Sequence, residues 1–176
     1  MSFFPSIKKW VVPATAIADS LREMSLDGAL GNEGVTLWLG KRLKGIAEVT
    51  HLVVLRGPGI IKQPDLLRID SHLFNDVTDV AIEFGVSLLG QIHSHRGLWV
   101  DLSWVDSTYG VAVPYYLSVV APHYAMRADT NIKDCGVHVF DPRRGYRRLP
   151  PQEVAKRIHI VYGQKLTILT VGEESE

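Results

Sequence analysis

Cysteine is almost absent: Cys135 is the one thiol in 176 residues, so no internal disulfide can form. That excludes the small disulfide scaffolds of secreted proteins. Neither charge is in excess, with 19 basic residues against 19 acidic ones and a formal net charge of zero. Proteins that live on nucleic-acid phosphates carry a basic surplus, so no nucleic-acid partner is expected. Long apolar runs are missing too; none reaches the roughly 18–20 residues that a bilayer span needs. Met1-Ser2-Phe3-Phe4-Pro5 lacks the basic region and apolar core of a signal peptide. No membrane partner is expected, and the cytoplasm is the expected compartment. Repeats and low-complexity tracts are also lacking. The one shift in composition is the acidic tail Glu173-Glu174-Ser175-Glu176, which reads as a disordered end.

What remains is ordinary for a globular chain: 46% hydrophobic and 22% charged residues. The length suits one domain, read here as residues 1–172 followed by the tail 173–176. Trp10-Val11-Val12 predicts a short strand stopped by Pro13. Ala14, Ile17, Leu21 and Met24 then recur at helical spacing, which predicts a helix ending near Gly28 or Gly31. Val35 to Leu39 reads as an apolar strand ended by Gly40, paired with a β-branched strand from Ile46 to Leu55. Arg56-Gly57-Pro58-Gly59 is a turn signal. A second helix follows, with Ser71 as N-cap, a face of Leu73, Val77, Val80 and Phe84, and Gly85 as its closing glycine.

Val86 to His93 predicts a central strand, and 116–121 and 136–140 predict two more. Asp141 to Gly145 reads as a turn before a strand at 146–149. Pro151-Gln152-Glu153 opens a short helix carrying Val154 and Ile158, and 166–171 reads as a last strand. Helices interrupting strand pairs imply an α/β fold with a single mixed β-sheet flanked by helices.

Chemistry concentrates in Gln91-Ile92-His93-Ser94-His95 and in the stretch from Arg96 to Asp106. Strand side chains alternate, so His93 and His95 project to one face. Two imidazoles so placed can grip one metal ion, and zinc suits histidine and carboxylate ligands. A helix beginning at Ser103 would put Ser103 and Asp106 one turn apart on one face. Beside the strand end, that helix would aim Asp106 at the two histidines. Three protein ligands leave the fourth position open, as catalytic zinc sites do. Such a site acidifies water but still needs a carboxylate to shuttle protons. Glu33, between the first helix and the strand at 35–39, is the best-placed of eight glutamates.

Glu33, His93-Ser94-His95, Ser103 and Asp106 together resemble the signature of the JAMM (MPN+, JAB) metalloproteases: an upstream Glu, then His-x-His, seven residues, Ser, two residues and Asp. The likeness covers roughly residues 8–160. It implies a cytidine-deaminase-like JAMM/MPN fold and a zinc isopeptidase of the deubiquitinase type. Such enzymes cut after the C-terminal glycine of ubiquitin or a ubiquitin-like protein. By that match His93, His95 and Asp106 bind one Zn2+, Glu33 is the general base and acid, and Ser103 helps stabilise the oxyanion. Ser103 equally suits a helix N-cap, and the two roles are compatible. The chain departs from the family where Arg96 replaces a common proline. In its compactness it is similar to the deconjugating proteins found beside ubiquitin-activating-like and conjugating-like proteins in antiphage operons, including the Bil and CBASS systems. Arg96, Trp99, Asp101 and Trp104 would border the cleft, with the two tryptophans as walls of a narrow passage, although Trp104 equally suits the core.

Other features read as structural. His51, His72, His123, His138 and His159 stand alone, and Cys135 reads as a small buried hydrophobe. Arg143, Arg144, Arg147 and Arg148 read as solvated turn charge, with docking of an acidic partner as the alternative. Competing functions are a processing peptidase for a ubiquitin-like or sulfur-carrier precursor, a DNA-repair-associated relative, and a non-catalytic MPN scaffold, which characteristically loses ligands that this chain keeps.

Overall fold

The computed structural model describes residues 5–172. The acidic tail and the first four residues lie outside that range, as do the expectations attached to them. The described chain runs β1 (Lys9–Pro13), α1 (Ala14–Gly28), β2 (Val35–Leu43), β3 (Ile46–Leu55), β4 (Ile60–Lys62), β5 (Leu67–Ile69), α2 (Ser71–Glu83), β6 (Ser87–Ser94), α3 (Trp104–Tyr109), β7 (Leu117–Ala121), β8 (Gly136–Asp141), β9 (Gly145–Arg148), α4 (Pro151–Arg157), β10 (Ile158–Val161) and β11 (Thr167–Val171). Nine strands form one mixed sheet in the order β10-β1-β3-β2-β6-β7-β8-β9, with β11 on β3. The architecture is therefore α/β, a large curled sheet flanked by helices. No described helix is long and apolar enough to cross a membrane.

Two cores sit on opposite faces of the sheet. The larger packs Ile17, Leu21 and Met24 of α1 against Trp10, Trp38, Ile92 and Val119. The smaller packs Leu73, Val77 and Ala81 of α2 against Val35, Leu37, Leu39 and Val53. Each fully buried aliphatic side chain contributes about 1.5–3 kcal/mol, so the two helices hold the sheet from both sides. Register then sorts the site residues. In the antiparallel β2–β6 pair, Val35 faces His93 and Leu37 faces Gln91. Paired residues share a face, so Gln91 and His93 lie on the α2 side. Thr36 and Ile92 point the other way, where Thr36 Oγ1 donates to Ser20 Oγ at 2.7 Å.

Several expectations need correction. Gly40 does not end β2; the strand continues to Leu43, and its register slips at Leu39/Gly40 against β3. The reason for glycine is closeness, since a Cβ there would stand 1.8 Å from the Glu48 carbonyl oxygen. Gly40→Ala should therefore destabilise by about 1–3 kcal/mol, the range for overpacking. A thermal melt within a degree of wild type would show that the bulge relaxes freely. The N-cap of α2 is Asp70, not Ser71, because the Asp70 carboxylate accepts from Leu73 N–H at 2.8 Å. Phe84 is 47% exposed and leaves the helix face, which Ala81 completes instead; its ring meets His51 edge-on. Gly85 does adopt the left-handed conformation of a closing glycine, φ +64°. The hairpin β4–β5 and the strand β10 carry no signal that periodicity registers. Runs of three or four residues are too short, and Ile158, read as helical, is buried in β10 against β1.

Candidate metal centre

His93 is the last residue but one of β6 and is fully buried; His95, just past the strand's end at Ser94, is 3% exposed. Extending the β2–β6 register two residues past Val35↔His93 sets Glu33 across from His95. Ser94 completes the join: its N–H donates to the Gly34 carbonyl at 3.0 Å, and its Oγ accepts from Gly34 N–H at 3.0 Å. Glu33 Oε1 thus stands 3.9 Å from His95 Nε2.

A strained turn holds the other end of the histidine segment. His123, Tyr124 and Ala125 all have left-handed φ values of 53–58°, a conformation costing roughly 1–2 kcal/mol per non-glycine residue. Within it His123 N–H donates to the Gly97 carbonyl at 2.7 Å and Tyr124 N–H to the His95 carbonyl at 2.8 Å. Tyr124 Oη donates to the Pro64 carbonyl at 2.8 Å, and Glu33 N–H donates to the Gln63 carbonyl at 3.0 Å. The β4–β5 turn is therefore tied down beside Glu33.

Asp106 arrives on α3. Ser103 caps that helix, its Oγ accepting from Asp106 N–H at 3.0 Å, while Ser103 N–H donates to Asp106 Oδ2 at 2.8 Å. This reciprocal capping box fixes the Asp106 rotamer. The same Oδ2 lies 3.2 Å from His95 Nε2 and 3.5 Å from His93 Nε2, and the two Nε2 atoms are 3.2 Å apart. Donors bound at 2.0–2.1 Å around a tetrahedral ion stand about 3.3 Å from one another. The three observed separations bracket that value, and His93, His95 and Asp106 could hold a metal ion.

Electrostatics fit the geometry. Burial pushes the Asp106 carboxyl up, but hydrogen bonds to both histidines and to Ser103 N–H together outweigh it and hold the group well below the usual carboxylate range. Asp106 is thus an anion ready to ligate. Glu33 is driven the other way. Burial pushes its carboxyl up to about 7 against the pull of His95, with Asp106 and Asp65 adding repulsion. Two carboxylates in one site are set apart, the pattern expected when one ligates and the other handles protons.

The neighbouring tryptophans depart from expectation. Trp99 stacks on His95 at 5.1 Å with 12° between the planes, and Trp104, 71% exposed, meets Tyr109 edge-on. Neither lines the groove beside the site. That groove, of about 800 Å³, runs between residues 66–71 with Phe74 on one side and Val105, Tyr109 and Tyr146 on the other, reaching Gln91 and Asp106. Sequence reasoning missed this groove, because its near wall is the short hairpin. The second strand of that hairpin, β5, pairs with β4 alone among the described residues. Asp101 turns from the cleft to accept from Arg148 at 2.8 Å, with His138 3.5 Å away, pinning the loop before α3 to β8 and β9. Arg96 is exposed.

The residues read as structural stay apart from the metal group. His138 Nδ1 lies 3.3 Å from the Ser118 carbonyl, His159 Nε2 3.0 Å from that of Lys156, and His51 bonds Thr50. Burial pushes the Cys135 thiol up to about 12, which leaves it unreactive. Arg147 is engaged by Glu153, while the Arg143 and Arg144 amides cap on Asp141.

No protein-family model and no curated protein matches the chain. Among solved structures it is similar to the solution structure of protein DSY2949 from Desulfitobacterium hafniense. The TM-score is 0.61 at 16% identity, over 89% of this chain and 94% of that one. At that identity the likeness is one of fold.

Proposed function

We propose that the chain is a zinc-dependent isopeptidase of the JAMM type. It would hydrolyse the bond after the C-terminal glycine of a ubiquitin-like protein, in conjugates or in a precursor. The observation that carries this reading is the cross-strand placement of buried Glu33 3.9 Å from His95, beside three ligand groups spaced for one ion. His93, His95 and Asp106 would hold one zinc. When bound, zinc supplies Lewis-acid chemistry, polarising a carbonyl and lowering the pKa of water from 15.7 towards about 7. Glu33 takes a proton from the attacking water and passes it to the nitrogen of the leaving amine as the C–N bond breaks. Ser103 Oγ already accepts from Asp106 N–H, so its own hydrogen remains to donate to the developing oxyanion. Capping and catalysis use different sides of one hydroxyl.

The groove supports an extended peptide as substrate. The outer edge of β5 borders it, and main-chain groups there can take a tail as an added strand, giving affinity with little side-chain selection. Activating-like and conjugating-like proteins would make the conjugates that this enzyme removes. The test is mass spectrometry of products from a ubiquitin-like modifier joined to a target through Gly-Gly, and from the same conjugate with Leu as the modifier's last residue. We expect one cut after Gly-Gly, and a Leu variant cut at least about tenfold more slowly, because a larger side chain beside the scissile bond would displace the carbonyl from the ligand groups. Equal cutting of both, or cutting elsewhere in the tail, would point to a less selective peptidase. No cutting by zinc-loaded protein would favour a non-catalytic scaffold.

A further inference from the structure

Gln91 precedes His93 by two residues on β6, so both side chains leave the same face of the sheet. Its amide nitrogen lies 3.3 Å from His93 Nδ1, and its Oε1 accepts from Tyr116 Oη at 3.1 Å. Tyr116 is fully buried and holds the far end of the amide in place. His95 has nothing comparable: its Nδ1 is buried without a hydrogen-bond partner, and its ring is held by Trp99 stacking and by its own backbone. The two histidines are therefore fixed by different means, and His93 alone has a polar side chain at its remote nitrogen.

A neutral imidazole carries one proton, and a nitrogen that binds a metal cannot carry it. With the amide N–H₂ towards Nδ1, that nitrogen accepts, and the His93 proton sits on Nε2. There it points at His95 Nε2, 3.2 Å away, and blocks ligation. Amide oxygen and nitrogen are nearly equal in size, so turning the terminal group by half a turn keeps the same heavy-atom positions filled. Oε1 then accepts from His93 Nδ1–H, and the Nε2 lone pair is free towards His95 and Asp106. Tyr116 Oη changes from donor to acceptor, which a neutral phenol can do.

We propose that Gln91, braced by Tyr116, is a positioning residue that selects the Nδ1–H tautomer of His93 and so sets the affinity of the metal centre. This rests on the zinc reading above and adds to it a residue outside the His-x-His…Ser…Asp pattern.

The experiment is zinc affinity of the full chain by competition with a chromogenic chelator, for wild type, Gln91→Met and Gln91→Glu. Losing a partner at the remote nitrogen of a ligand histidine typically costs 10–100-fold in affinity, and that loss is expected for Gln91→Met. Gln91→Glu, which keeps an acceptor, should bind at least as tightly as wild type, a rescue that a merely space-filling role would not give. ¹⁵N chemical shifts of zinc-loaded wild type should report His93 protonated at Nδ1, whether or not the Met variant folds. Gln91→Met within about twofold of wild type, Gln91→Glu as weak as Gln91→Met, or His93 ligating through Nδ1 would each overturn the proposal while leaving the metal centre standing. A wild type that binds no zinc would overturn both.

Discussion

His95→Ala should empty the metal centre. Wild-type protein should carry about one zinc per chain, and the variant less than a tenth of that after the same dialysis. His95 supplies the atom that stands 3.2 Å from both other ligand atoms, so its removal leaves two donors on one side of the ion. Outer partners of metal ligands are worth 10–100-fold, and a ligand itself is worth more. The fold should survive, because the segment is held by backbone: His95 N–H donates to the Ala121 carbonyl, and its own carbonyl accepts from Tyr124. Elemental analysis beside a thermal melt of the metal-free forms reads both effects. Equal zinc in the two proteins would mean that the ion, if any, sits elsewhere.

Glu33→Gln should give the opposite pattern, with zinc retained and turnover of a Gly-Gly-linked conjugate reduced about 10²–10⁴-fold, the usual worth of a general acid–base group. Glutamine keeps the shape of a side chain that is only 7% exposed and removes only its capacity to take a proton. Glu33 is not one of the three groups within ligand spacing of each other, so metal content should not change. Single-turnover rates on zinc-loaded protein decide the matter. A variant within threefold of wild type would assign the proton transfer to another group, and a variant that loses zinc would make Glu33 a ligand.

The elements are largely legible in the chain because their apolar residues repeat over many positions. Ile17, Leu21 and Met24 step at helical spacing, and all three are buried. Val35 to Leu39 and Ile46 to Leu55 are long enough to show as strands, and they pair as expected. The helix at Ser103 follows from serine and aspartate three apart, which is a capping box as well as part of a motif. Where the pattern is short it fails. The hairpin β4–β5 has three residues per strand, and the groove wall it forms is hidden with it. Exposure of an aromatic is equally invisible to spacing, which is why spacing misplaces Phe84, 47% exposed.

Residue types and intervals alone determined that His93 and His95 share a face and that Asp106 lies one helical turn from Ser103; the proposed chemistry calls for a further carboxylate outside this stretch. They did not determine which carboxylate. Eight glutamates have the same chemistry, and sixty positions separate Glu33 from His93. Only the antiparallel register of β2 on β6 sets Glu33 across from His95, and a slip of one residue would have turned it to the α1 face. Gln91 shares the face of His93 by spacing along β6 alone, but it is the parallel pairing of β7 on β6 that brings buried Tyr116 to the far end of its amide. Spacing along one strand or one helix is local geometry, which sequence carries. Pairing between strands is decided by the two cores, whose burial rewards one alignment of the whole sheet and no other.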